Sequence, residues 1–169
     1  MASFLSTPIT AAEDALANSA DFRTWCGATD VADAKANYIF SDDAVDPAET
    51  NLPQKFAAIS ELYDAEFERD AEGAGLGSFF FSNGNFNLYL CEKFDLETDD
   101  WNATNRIAFK DNMATFIIDF LTNFEGDGQR ILSFRQFEFG EDFTMRFIDP
   151  GDGKKGYQYG WIITTGVQD

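Results

Sequence analysis

One segment, TDDWNATNRIAFKDNMATFIIDFLTNFEGDG at residues 98–128, constrains the fold more than any other part of the chain. Phe109, Met113, Phe116, Ile117, Phe120, Leu121 and Phe124 recur at helical spacing and make a single apolar stripe. Thr98 is a good N-cap, and Asp99 and Asp100 suit the positive end of a helix dipole. Gly126-Asp127-Gly128 is a stop signal. A helix over about residues 98–124 spans on the order of 40 Å, at about 1.5 Å per residue. A stripe so long and so bulky needs a sheet, or a neighbouring subunit, to cover it.

The surrounding sequence alternates as strands do. Residues 78–94 predict a hairpin: Ser82-Asn83-Gly84-Asn85 is a turn that tolerates positive φ, and Phe86, Leu88 and Leu90 then alternate with Asn87, Tyr89 and Cys91. Of Phe79, Phe80 and Phe81, one faces opposite to the other two. Phe80, if it points away from the core, needs cover from the long helix or from another subunit. After the helix come RILSFRQFEFG, DFTMRFIDP and, beyond the loop DPGDGKKG, YQYGWIITTG. Phe143, Met145 and Phe147 share one side of a pleat, as do Tyr157, Tyr159, Trp161 and Ile163. In KFAAISELYDAEFERD, Ile59, Leu62, Tyr63 and Phe67 fit a helical period. Ile59, Tyr63 and Phe67 also share a face of an extended chain, and the strands that follow favour strand.

The N-terminal part is helical. Thr10 and Glu13 form a capping box for an Ala-rich helix through about Asn18. Asp21 caps a short helical turn that stops at Gly27, and Asp30 starts another short helix. Phe22 and Trp25 are expected core anchors. Ser41 to Gln54 is acidic, holds two of the four prolines and predicts a long loop. The expected architecture is α+β: a mostly antiparallel sheet, one long helix packed on a face, and short N-terminal helices. We expect a single domain over 1–169: a helical segment to residue 40, an acidic loop over 41–55, and sheet plus long helix over 56–169.

Composition excludes several kinds of function. The chain carries a net charge of −18, and its few cations are scattered, with Lys154-Lys155 the densest pair. Such a surface repels nucleic acid and anionic membranes. It has no His, so His base catalysis and His metal ligation are absent. Cys26 and Cys91 are isolated in sequence and read as reduced, buried thiols; a CxxC zinc site is excluded. No phosphate-binding glycine motif is present. DPGDGKKG lacks EF-hand spacing and reads as a turn. The 30 acidic residues single out no acid/base pair, since solvated surface carboxylates explain their number. No catalytic residue, cofactor or metal is therefore expected. MASFLSTPIT lacks the basic head and apolar run of a signal peptide, and no apolar run approaches the ~18 residues of a membrane span. The chain reads as soluble and made in the cytoplasm.

In their order, the segments AAEDALANSADFRTW, SFFFSNGNFNLYLCEKFD, NRIAFKDNMATFIIDFL and GYQYGWIITTG resemble the tail terminator and neck (head–tail joining) proteins of long-tailed bacteriophages. The resemblance is one of pattern and spans nearly the whole chain; that family has no diagnostic residue motif. It implies a small α+β protomer assembled as a ring, commonly a hexamer, at the head-proximal end of the tail. Such a ring ends tail-tube growth and joins tail to head. The implied partners are copies of itself, the tail-tube protein and the head–tail connector. DNA passes through the channel without specific binding, and the location is the virion. The alternatives are another neck or head-completion ring, or an acidic soluble module that binds carbohydrate or protein. Loops on a rigid scaffold are favoured contacts, so the expected assembly residues are Phe80, the hairpin tip Asn83, Gly84 and Asn85, and Lys154 and Lys155 at a second tip.

Overall fold

The computed structural model describes residues 6–41, 52–69, 79–95, 103–126, 129–138 and 154–167. Three short helices come first. Helix α1, Ser6–Asn18, begins before the expected capping box, so Thr10 lies inside the helix. Pro8 sits in the first turn, where its missing N–H costs nothing. Helix α2, Ala20–Cys26, is capped by Ser19, whose Oγ accepts from Phe22 N at 3.1 Å; Asp21 lies in the first turn and is not the cap. Gly27, at φ 89°, ends it in the left-handed conformation that glycine adopts without strain. Helix α3, Val31–Asn37, starts as expected at Asp30, which accepts from Asp33 N at 2.9 Å.

The long helix, α4, covers Ala103–Gly126. The expected cap at Thr98 lies outside the described residues. Every stripe residue is buried except Leu121, which packs half-buried against the same core.

The strands are β1 (Ile39–Ser41), β2 (Lys55–Ile59), β3 (Tyr63–Arg69), β4 (Phe79–Asp95), β5 (Gln129–Glu138) and β6 (Lys154–Val167). They form one mixed sheet in the order β1-β2-β4-β6-β5, with β3 also beside β4. Only β1 and β2 pair in parallel; every other described pairing is antiparallel. The ambiguous segment at 55–69 is strand, in two pieces. The strand expected over 142–150, with Phe143, Met145 and Phe147, lies outside the described residues, as do residues 42–51 of the predicted loop.

The predicted hairpin at 78–94 is a single strand of 17 residues. Asn83, Gly84 and Asn85 lie in its interior and pair with Gly166, Thr165 and Thr164. A two-residue hairpin turn of the Asn-Gly kind needs positive φ at both central residues. Among the described residues only Gly27 and Asp64 have positive φ. The Asn-Gly sequence has another cause. Asp64 and Ala65 together stand opposite Gly84, because Tyr63 pairs with Asn85 and Glu66 with Asn83. A glycine inside a strand commonly marks such a bulge.

A second bulge joins β2 to β3. Both run along the same edge of β4, but Ser60, Glu61 and Leu62 stand opposite Phe86 and Asn87 alone. Ser60 repairs the ladder there: its N donates to Asn87 O at 2.9 Å, and its Oγ accepts from Asn87 N at 2.8 Å.

The core lies between the helices and one face of the sheet. Ala57, Ile59, Phe86, Leu88, Leu90 and Ile163 meet the α4 stripe, α1, Phe22 and Trp25. Phe86 and Phe124 ring centroids are 5.7 Å apart, and those of Trp25 and Phe116 are 5.4 Å apart. Phe22 and Trp25 are thus core anchors, as expected. The opposite face carries a smaller cluster of Leu52, Phe56, Ala58, Tyr89 and Cys91.

Replacing Ser60 with Ala strands the Asn87 N–H inside the sheet. We expect a loss of about 1–3 kcal/mol, the usual cost of an unsatisfied buried group, read as a lower urea midpoint with an unchanged denaturant slope.

Candidate assembly surface

The six residues expected at an interface fall into two groups on two neighbouring strands, β4 and β6. Phe80 stands opposite Glu68 near the start of β4, close to Asn83, Gly84 and Asn85. Lys154 and Lys155 open β6 opposite Asp95 and Phe94, at the far end of β4. At about 3.3 Å per residue, Lys155 lies roughly 30 Å along the sheet from Asn85 and roughly 45 Å from Phe80. They make no common site, and Asn83, Gly84 and Asn85 are not a loop tip. Asn83, Gly84 and Asn85 are held on both edges by neighbouring strands, so the expected projection from the sheet is corrected to a position within it. Gly151 to Gly153, the rest of the second tip, lies outside the described residues, as do the side chains of Phe80, Lys154 and Lys155.

Asn83 and Asn85 instead open a polar band on the sheet face away from α4. Asn83 Nδ2 donates to Glu66 Oε2 at 2.7 Å. Asn85 Oδ1 accepts from Thr164 Oγ1 at 2.8 Å, and that hydroxyl accepts from Ser133 Oγ at 3.0 Å. Asn87 continues the band: Tyr63 OH donates to its Oδ1 at 2.9 Å, and its Nδ2 donates to Tyr89 OH at 3.1 Å. Burial and the nearby Asp64 carboxylate push the Tyr63 hydroxyl pKa up, against the pull of Arg135. This band joins residues from β3, β4, β5 and β6 and was not foreseen. The alternation Asn85, Asn87, Tyr89 marks the face in sequence; which side chains join it depends on register.

The outer strands carry the exposed chemistry. Leu132 and Phe134 on β5 are 47% and 50% exposed, and Arg130 and Arg135 on the same strand are exposed. On β3, Asp64 and Glu66 are exposed. Among the described residues, no strand lies beyond β5 on one side or beyond β3 on the other. On α4, Ile107 and Ile118 are 60% and 68% exposed. They stand eleven residues apart, about three helical turns, and so share a line on the outer side.

A different polar group sits under the helices. Lys55 Nζ lies 3.7 Å from Glu92 Oε1 and 5.8 Å from the centre of the Trp25 ring. The cation thus lies in attractive range of both a carboxylate and a π face. Burial raises the Glu92 pKa, opposed by Lys55 and by the nearby indole. Trp25 Nε1 is buried and approaches Glu92 without reaching good hydrogen-bond geometry. Cys26 is half-buried beside this group, and desolvation raises its thiol pKa. Both cysteines are free thiols. Among the described residues, no cluster of His, Cys, Asp and Glu is arranged to hold a metal ion, and no helix is long and apolar enough to cross a membrane.

Compared with known proteins, the sequence matches no family model and no curated protein.

The Glu92 shift has a definite sign. Its native pKa lies above the ordinary 4.5, so the native state holds the proton more tightly than the unfolded chain. Stability from this group is full below pH 4.5 and falls as pH rises through the native value. Glu92→Gln should remove that component. Urea midpoints of the two proteins should therefore diverge across this window, with the wild type losing more as pH rises.

Proposed function

We propose that this chain is a non-enzymatic structural protein of a tailed bacteriophage. Its ring sits at the head-proximal end of the tail, ends tube growth and joins tail to head. Its partners are copies of itself, commonly six, the tail-tube protein and the connector. It is made in the host cytoplasm and resides in the virion.

The observation that carries this reading is the coexistence of a net charge of −18 with large apolar side chains outside the core: Leu132 and Phe134 on β5, Ile107 and Ile118 on α4. Large apolar groups left exposed on an acidic chain suit a surface that other subunits cover. An acidic wall repels phosphate, so DNA slides past it without being held. The ordered resemblance of the segments supplies the family, and an α+β protomer with one long helix agrees with it.

The polar band favours a second reading, an acidic module that binds carbohydrate. Tyr63, Asn87 and Tyr89 place hydroxyls and an amide side by side on a sheet face, as sugar recognition requires. Binding on a glycan panel that is lost in Asn87→Ala would favour it over the ring.

Purified protein added to polymerising tail tubes should cap them, giving shorter tubes with extra density at one end in negative stain. Tubes that grow unchanged and bear no added density would contradict the reading.

A further inference from the structure

Hydrogen bonding inside the polar band leaves a definite remainder on its outer side. Tyr63 OH donates to Asn87 Oδ1 at 2.9 Å, Ser133 Oγ to Thr164 Oγ1 at 3.0 Å, and Thr164 Oγ1 to Asn85 Oδ1 at 2.8 Å. These three hydroxyl protons are thereby held within the protein. Asn87 is occupied at both ends of its amide, because its Nδ2 donates to Tyr89 OH. Two donors remain: the Asn85 Nδ2 and the Arg135 guanidinium, neither with a hydrogen-bond or ion-pair partner among the described residues. Tyr63 OH and Ser133 Oγ each keep an acceptor lone pair. Register sets Arg135 beside these groups. It stands two residues after Ser133, on the same face of β5, and it pairs with Ile162, which pairs with Asn87. Arg135 is exposed, and its charge acts on the Tyr63 hydroxyl, against the rise caused by burial and Asp64. Half-buried Ile162 lies between the polar groups as an apolar floor.

We propose that this face binds a sugar acid, its carboxylate between Arg135 and Asn85 Nδ2 and its ring over Ile162, with ring hydroxyls donating to Ser133 Oγ and Tyr63 OH. A guanidinium fork and a carboxylate match in plane and in charge. A neutral sugar would offer that fork hydroxyl oxygens alone, and a carboxylate without hydroxyls would leave the two acceptors unmatched. The chain's charge of −18 repels polyanions, but a single carboxylate meets chiefly the local field. The exposed acids Asp64 and Glu66 lie on β3, and β4 and β6 stand between β3 and β5. Three strand spacings of about 4.8 Å come to about 14 Å, beyond the Debye length of about 8 Å at physiological salt. The acid end of the ligand thus sits by the free cation and its hydroxyl end toward the acids. The inference deepens the carbohydrate reading of the band; it rests on that reading for the sugar and not for the carboxylate.

NMR titration of the full chain with the methyl glycosides of glucuronic, galacturonic and mannuronic acid tests it at physiological salt. At least one should bind and shift the signals of the Asn85 side-chain amide. The matching neutral hexoside, and the same uronoside on Arg135→Ala, should bind about ten-fold more weakly, the usual worth of a hydrogen bond to a charged group. Arg135→Lys keeps the charge and loses the fork, so its affinity should fall between the two. The spectra themselves show that each variant is folded. No binding by any of the three uronosides would overturn the proposal, as would binding that Arg135→Ala leaves unchanged. Hexosides that bind as tightly as uronosides, and lose binding in Asn87→Ala, would overturn it and leave the carbohydrate reading standing. Cyclohexanecarboxylate, a ring acid without hydroxyls, should bind more weakly than the uronosides. If it binds at Arg135 as tightly as they do, the sugar and the carbohydrate reading fall together, and the carboxylate contact alone stands.

Discussion

Backbone hydrogen bonding along both edges of β4 holds this molecule together. One edge carries β2 and then β3; the other carries β6 over thirteen paired residues, Asn83 to Asp95. Strands far apart in sequence, β2 and β3 on one edge and β6 on the other, meet through this strand. It also sets the two faces of the sheet. Phe86, Leu88 and Leu90 go to the helices, while Asn85, Asn87 and Tyr89 go to the other side. A slip of one residue would exchange the two sets and bury amides against α4. The bulges at Ser60 and Asp64 let a second, slightly longer segment follow β4 without such a slip.

The helices were legible because their signals are local. Seven apolar residues at helical spacing define α4, Gly27 ends α2, and Asp30 starts α3; each depends on neighbours within a few turns. The α1 start was misplaced because Thr10 and Glu13 satisfy the capping-box pattern inside a helix that Pro8 allows to begin earlier. Strand at 55–69 followed from context, since periodicity alone permitted either form. The hairpin failed for a physical reason. Asn-Gly between alternating apolar runs is the signal for a tight turn, and the same glycine also suits a strand whose partner bulges beside it. Only the position of Asp64 across the ladder separates the two.

The expected tip at Asn83, Gly84 and Asn85 shared that failure. Strand pairing places Asn83, Gly84 and Asn85 inside the sheet, not at a tip, whereas Lys154 and Lys155 open β6 next to residues 151–153, which lie outside the described residues. What the sequence hid was register. The polar band of Tyr63, Asn85, Asn87, Ser133 and Thr164 draws on four strands. Composition did reveal the underlying tension: so many aromatics on so acidic a chain require both a full core and exposed apolar surface. Phe86, Phe109, Phe120 and Phe124 meet the first demand, and Leu132 and Phe134 on an outer strand meet the second.

The continuity of β4 is the claim on which the rest depends, and amide hydrogen exchange of Ser82 to Asn87 tests it most directly. Amides inside a strand paired on both edges open only with substantial unfolding, whereas a turn exposes its amides to water. The structure predicts that the amides of Asn83, Gly84 and Asn85 exchange as slowly as those of Leu88 to Cys91. Fast exchange confined to Asn83, Gly84 and Asn85, with protection on either side, would restore the hairpin and contradict the account.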